Sequence, residues 1–153
     1  MSILALRIPP LVLVIVFAAV MWAVAETMPH GTVHLPWSDG VALLVAVAGG
    51  AVALCGVIAF RKHQTTVDPR VPERASALVD SGIYRVSRNP MYLGFLMALI
   101  AWAIHLENGF SVILLPAFVL YMNRFQIQPE ERALRDMFGE HFERYMASVR
   151  RWI

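Results

Sequence analysis

The sequence predicts an all-α, polytopic membrane protein with about four transmembrane helices followed by a C-terminal amphipathic helix. Three observations carry this reading. Hydrophobic residues make up 58% of the 153 residues and charged ones only 16%, and the mean hydropathy is strongly positive, which is not the balance of a soluble domain. The net charge of +2, from 13 Lys+Arg against 11 Asp+Glu, conceals long uncharged stretches separated by crowded ones. The basic residues fall only in alternate connections.

The first span runs from Pro9 to Ala25 without a charge, and Pro9 and Pro10 suit the opening turn of a helix, where a missing N–H costs nothing. No convincing small-residue cleavage pattern precedes Glu26, so this segment reads as a retained span rather than a signal peptide. The second span, Val41 to Phe60, has 20 uncharged residues, or about 30 Å of helix, the thickness of the hydrocarbon core. Its Gly49, Gly50 and Gly56, with Ala46, Ala53 and Cys55 nearby, allow close approach of a neighbouring helix. Two shorter runs follow, Met91 to Leu106 and Phe110 to Met122, joined by Glu107-Asn108-Gly109 as a tight helical hairpin, with Pro116 expected to kink the second. Short or broken helices at membrane depth are tolerated where they line a cavity, which points to a site there.

Arg7 precedes span one, and Arg61, Lys62, Arg70, Arg74, Arg85 and Arg88 lie between spans two and three, with the rest after span four. The segment from Glu26 to Gly40 and the hairpin turn contain no Lys or Arg, so the positive-inside rule puts both termini in the cytoplasm. Beyond span four, Pro129 to Trp152 reads as one amphipathic helix whose apolar stripe is Leu134, Met137, Phe138, Phe142, Tyr145, Val149 and Trp152. Glu130 and Glu131 in its first turn and Arg150 and Arg151 in its last complement the helix dipole.

Chemistry is suggested by convergence. The polar segment from Leu78 to Gly94 precedes span three, while Asn123, Arg124, Gln126, Glu130 and Glu131 follow span four, so four spans bring both clusters to one cytoplasmic edge. Arg and Glu together suit a zwitterion, the guanidinium gripping a carboxylate and the carboxylate an ammonium. Glu26, His30 and His34 are spaced for ligands on one helical face, but Pro29, Gly31 and Pro36 oppose a helix, so an outer loop without metal is expected. His63, His105 and His141 are scattered and read as surface or interface residues, Arg85 as a headgroup anchor, and Trp102 as a packing residue. The lone Cys55 excludes an intrachain disulfide, and the basic residues lack the fold context of a nucleic-acid reader.

Gly82, Tyr84, Arg88, Asn89, Pro90, Tyr92 and Gly94 stand in a pattern that resembles G-x-Y-x-x-x-R-H-P-x-Y-x-G of the isoprenylcysteine carboxyl methyltransferases and phospholipid methyltransferases, with Asn89 at the His position. Arg124, Glu130, Glu131, Leu134, Phe138, Gly139, Phe142 and Tyr145 resemble that family's second block, with Arg124 spaced further from the glutamate pair than in its strictest form. The likeness covers the chain from about Thr65 to the end.

The resemblance implies a single membrane-embedded domain over 1–153, with two N-terminal spans in 1–60 and a region binding S-adenosylmethionine in 61–153. It implies Tyr84, Arg88, Asn89, Pro90, Tyr92, Leu93, Gly94, Arg124, Glu130 and Glu131 at the cofactor, with Arg124, Glu130 and Glu131 catalytic. No G-x-G-x-x-G follows a strand-like run, in keeping with a cofactor site unlike the Rossmann type. A carboxylate or thiolate acceptor needs alignment and water exclusion, effects worth up to ~7–11 kcal/mol in favourable systems. An amine must also lose a proton, for which Glu130 or Glu131 is the nearest base. The implied acceptor is lipophilic or small and is met at the cytoplasmic face of a bacterial-type inner membrane; the bilayer is the partner and no protein partner is deducible. Phospholipid amine methylation, a non-catalytic scaffold or lipid-binding protein of the same fold, and a nicotinamide-dependent membrane reductase are the alternative readings.

Overall fold

The computed structural model describes residues 8–62 and 78–153, and Arg7, His63, Arg70 and Arg74 lie outside the described residues. Within them every extended element is a helix: α1 (Pro10–Thr27), α2 (Ser38–Lys62), α3 (Pro90–Leu106), α4 (Gly109–Val112), α5 (Leu114–Tyr121), α6 (Gln128–Phe138) and α7 (Glu140–Ser148), with a π-helical segment at Met122–Ile127. Three helical runs, Pro10–Thr27, Ser38–Lys62 and Gly109–Phe138, are long and apolar enough to cross a membrane, and Pro90–Leu106 is a shorter apolar helix. The chain is an all-α polytopic membrane protein.

Each boundary has a local cause. Pro10 occupies the first position of α1, where its missing N–H is no loss. At the hairpin turn, Glu107 takes a left-handed conformation (φ 51°), and Asn108 caps the next helix by accepting from the N–H groups of Phe110 (3.0 Å) and Ser111 (3.3 Å). Asn108 Nδ2 donates to the Met28 carbonyl at 2.9 Å, which ties the turn to the end of α1. Pro116 has no amide for the Val112 carbonyl, and the helix breaks between Val112 and Leu114, the expected kink.

The helix does not end with the apolar run at Met122. It continues through the π segment into α6, because Pro129 has no amide for the Phe125 carbonyl and the widened turn absorbs the defect. The single amphipathic helix expected over Pro129–Trp152 is two helices, divided at Gly139, whose φ of +51° suits a residue without Cβ. After Ser148 the backbone is extended, so Trp152 does not continue that helical stripe but packs against the core formed with α1, α3 and α5.

Helix α3 is the central element. It runs antiparallel to α2 in the most extensive helix pair, and its other side meets α1 and α5. The crossing with α2 depends on glycine. A Cβ at Gly94 would lie 2.5 Å from the Gly49 carbonyl oxygen and 2.7 Å from Ala53 Cβ, so the two backbones approach as only small residues allow. Leu13, Met21, Tyr92, Leu99, Phe118, Met122 and Ile127 form the core between α1, α3 and the fourth span. Trp102 Nε1 donates to the Ala18 carbonyl at 3.0 Å, a packing role. Leu43, Leu44, Val47, Leu54 and Ile58 on α2 and Leu11, Ile15, Val16 and Trp22 on α1 are exposed, as lipid-facing side chains are.

The two ends of the bundle differ. At one end, Glu107 accepts hydrogen bonds from Ser38 Oγ (2.6 Å) and the Leu35 N–H (3.0 Å) and contacts His34 Nδ1 (2.9 Å), while His105 pairs with Asp39 (2.8 Å). Glu26, His30 and His34 share no helix face there, since α1 stops at Thr27 and Pro29–Gly31 is a tight 3-10 turn. At the other end lie Arg61, Lys62, Arg85, Arg88 and Arg124 with a second small core of Val79, Tyr84, Phe142, Tyr145 and Val149.

Candidate functional site

The basic end of the bundle holds a set of ion pairs and hydrogen bonds between segments far apart in sequence. Arg88 lies between a 3-10 turn, Gly82–Arg85, and the start of α3. Its guanidinium donates to Glu131 Oε1 at 2.9 Å and to the Met146 carbonyl at 3.0 Å. Glu131 is also gripped by Arg151, Nε to Oε1 at 3.1 Å and a terminal nitrogen to Oε2 at 2.6 Å, a bidentate fork. Tyr92, on the first turn of α3, donates its hydroxyl to Glu130 Oε1. The two adjacent glutamates of α6 therefore answer to two different elements, one to an aromatic hydroxyl and one to a pair of arginines.

Asn89, in the position before Pro90, does not cap α3; its Nδ2 donates to the Arg151 carbonyl at 3.0 Å, and its own N–H is taken by Ser87 Oγ at 3.1 Å. The Arg88 N–H donates to the Arg150 carbonyl at 3.1 Å, and Trp152 Nε1 donates to Asn123 Oδ1 at 3.1 Å. The extended residues 150–152 thus lie across the junction of α3, the π segment and α6. The widened π turn places Gln126 inward, where Nε2 donates to the Ile8 carbonyl at 2.6 Å. Arg88 Nε, Tyr121 Oη and Gln126 Oε1 are buried without a hydrogen-bond partner among the described residues.

Of the residues singled out in the sequence, Arg88, Asn89, Tyr92, Glu130 and Glu131 come together, with Pro90 buried and Leu93 half-buried beside them. Gly94 faces α2. Tyr84 belongs to the second core: its ring meets Phe60 edge-on at 5.4 Å and its carbonyl accepts from the Tyr145 hydroxyl at 2.7 Å. Burial pushes both phenols above their ordinary range, Tyr84 the further, with the neighbouring Tyr145 adding to its shift. Arg124 stands apart, exposed, with Gln128 Oε1 at 3.4 Å. Sequence reasoning missed Arg151 and Trp152 as members of the cluster, whereas Asn123 was among the residues expected to converge there. The available signal was Gly139, which interrupts the helix and frees the following chain to turn back.

Chemically the cluster offers a guanidinium whose Nε–H has no partner among the described residues, two carboxylates and a phenol. That donor set fits a ligand carrying both an anionic oxygen and a cationic nitrogen, such as the amino-acid portion of S-adenosylmethionine.

A family profile described as phospholipid methyltransferase matches residues 38–141. An uncharacterized protein of Haemophilus influenzae is 41% identical over 63 residues, which are 41% of this chain and the whole of that protein. A probable protein-S-isoprenylcysteine O-methyltransferase of Oryza sativa subsp. indica is 31% identical over 112 residues, 71% of this chain and 57% of the rice protein. Protein-S-isoprenylcysteine O-methyltransferase A of Arabidopsis thaliana is 28% identical over 116 residues, 74% of this chain and 57% of that protein. The chain thus matches little more than half the length of these plant relatives. With the profile extending over α2, α3, the fourth span and α6, the segments that carry Arg88, Tyr92, Glu130 and Glu131, the chain belongs to the phospholipid methyltransferase family.

Proposed function

We propose that this chain is an integral membrane methyltransferase that uses S-adenosylmethionine to methylate a lipophilic or small acceptor from the cytoplasmic side. The observation that carries the reading is the meeting of Arg88, Tyr92, Glu130 and Glu131 at the end of the short helix α3, within the region matched by the methyltransferase family. The chemistry supplied by the bound cofactor is a methyl group on a sulfonium, an electrophile that needs no metal. Arg88 holds the carboxylate, Glu130 and Glu131 attract the ammonium, and Asn89, Pro90, Tyr92 and Leu93 line the pocket; Tyr84 and Gly94 support it from behind through their packing. Arg124, exposed at the rim, is a candidate for the acceptor's anionic group.

The two glutamates differ as bases. Glu131 accepts three N–H bonds from arginines, which makes it a poor base, and Glu130 accepts from Tyr92. A carboxylate or thiolate attacks without losing a proton and needs neither glutamate as a base, whereas an amine would depend on Glu130, the carboxylate not held by arginines. The plant relatives are named O-methyltransferases, which supports an oxygen acceptor.

Calorimetric titration of S-adenosylmethionine and S-adenosylhomocysteine into the purified protein, in detergent and in lipid, tests the cofactor. Saturable binding weakened at least ~10-fold, or about 1.4 kcal/mol, in Glu131→Gln and Arg88→Ala is the expected result. Absence of binding by folded protein in both environments overturns the reading. Alkaline treatment of the labelled product then identifies the acceptor, since methyl esters release methanol and N-methyl amines do not.

A further inference from the structure

A second concavity, sharing no side chain with the Arg88–Glu131 cluster, lies between the 3-10 turn at Gly82–Arg85 and helix α7. It is open, about 620 Å³ in volume, and its polar lining includes Asp80, Arg85, His141 and Arg144, with Tyr145 and Val149 as its wall. We propose that it binds the phosphate of an anionic lipid headgroup at the bilayer surface. The proposal stands whether or not the first cluster binds S-adenosylmethionine.

Depth is the first argument. The hydroxyl of Tyr145, in the wall, donates to the Tyr84 carbonyl at 2.7 Å, and the Tyr84 ring packs on Phe60 with centroids 5.4 Å apart. Phe60 is the last apolar residue of α2 before the exposed Arg61 and Lys62. The concavity therefore sits about one aromatic ring from the point where an apolar helix of 25 residues leaves the hydrocarbon, and lipid phosphates are the abundant anions at that depth.

Charge is the second. Arg88 and Arg151 each pair with Glu131, and Arg135 lies against Glu143 at 3.6 Å. Arg85 and Arg144, by contrast, have no hydrogen-bond or ion-pair partner among the described residues. The one acid in the lining, Asp80, is 3.5 Å from His141 Nε2. Two guanidiniums with unused forks at the rim of one concavity are suited to phosphate oxygens, which they can bind bidentately. The third argument is adjacency to an apolar foot. Val86, next to Arg85, is 58% exposed, the combination by which an interfacial segment dips an apolar side chain beneath the headgroups while its cation stays among them. The occupant so defined has a net negative headgroup and acyl chains that continue into the bilayer.

Native mass spectrometry of the detergent-purified protein, titrated with short-chain phosphatidylglycerol, phosphatidylcholine and soluble glycerol phosphate, tests this. The expected result is phosphatidylglycerol bound at least ~10-fold more tightly than phosphatidylcholine, with that preference lost in Arg85→Ala/Arg144→Ala and kept in Arg132→Ala, an exposed site on α6 outside the concavity. Melting temperatures establish that each variant is folded, and the single variant Arg144→Ala replaces the double one should the latter unfold. An unchanged preference in the arginine variants overturns the site. Glycerol phosphate bound as tightly as the lipid overturns the assignment to a membrane headgroup in favour of a soluble phosphate.

Discussion

Arg88 and Glu131 meet at 2.9 Å across 43 residues of sequence, with side chains only 12% and 14% exposed. The pair joins the start of α3 to α6, and it is the contact on which the shape of the cluster most depends. Removing one member of a buried pair leaves the other uncompensated. Arg88→Ala is expected to destabilise the protein by about 3 kcal/mol, the lower end for such a loss because Arg151 still neutralises Glu131. Arg151→Ala, whose side chain is 31% exposed, is expected to cost about 1 kcal/mol. Thermal unfolding in detergent checks the order, and an Arg151 variant less stable than the Arg88 variant contradicts it.

Tyr92→Phe removes the hydroxyl that donates to Glu130 and leaves the ring in its core position, where it is 4% exposed. An intramolecular hydrogen bond contributes about 0.5–1.5 kcal/mol net. If Glu130 acts in cofactor binding or transfer, kcat/KM for methyl transfer falls at least ~10-fold. Turnover equal to that of the unaltered protein would remove Tyr92 and Glu130 from the machinery.

The spans were legible in the sequence because apolar runs bounded by charge are strong signals, and the paired motifs pointed to the elements that converge. What escaped depended on backbone departures that periodicity cannot see. Leu134, Phe138, Phe142, Tyr145, Val149 and Trp152 keep a helical rhythm, yet Gly139 breaks the helix and the extended chain after Ser148 turns Arg151 from an expected helix-end cation into a clamp on Glu131. The apparent end of span four at Met122 was likewise the start of a π segment, stabilised by partners as remote as Ile8 and Trp152. Arg124 fits its motif position, but on the structure its guanidinium faces Gln128 rather than the glutamate pair.

The opposite end of the bundle should show a distinct acid response. The Ser38 hydroxyl above all, then the Leu35 N–H and His34, hold the Glu107 carboxyl well below its ordinary value, at about 2. A depressed folded-state pKa means that the stabilisation is fully present above the unfolded value of 4.5 and is lost as pH falls from there through about 2. The melting temperature of the protein should therefore decline over that window, and Glu107→Gln should flatten the decline while lowering stability near neutrality. An acid limb unchanged by that substitution places the titrating group elsewhere.

Gly49 and Gly50 are neighbours with opposite expected responses to the same added methyl. At Gly49 a Cβ would lie 2.7 Å from Met97 Cβ and 3.0 Å from the Gly94 carbonyl, while at Gly50 it meets nothing within 4 Å. Gly49→Ala forces α2 and α3 apart and should cost about 1–3 kcal/mol by overpacking. Gly50→Ala removes backbone freedom from a helix interior without a clash and should be neutral or stabilise by about 0.5–1 kcal/mol. Because α3 also carries Tyr92, the Gly49 variant should lose cofactor affinity along with stability, whereas the Gly50 variant keeps both. Parallel melting and cofactor titrations of the two variants decide the matter. Equal behaviour would mean that the α2–α3 crossing is looser than the glycine contacts require and that the position of Tyr92 does not depend on it.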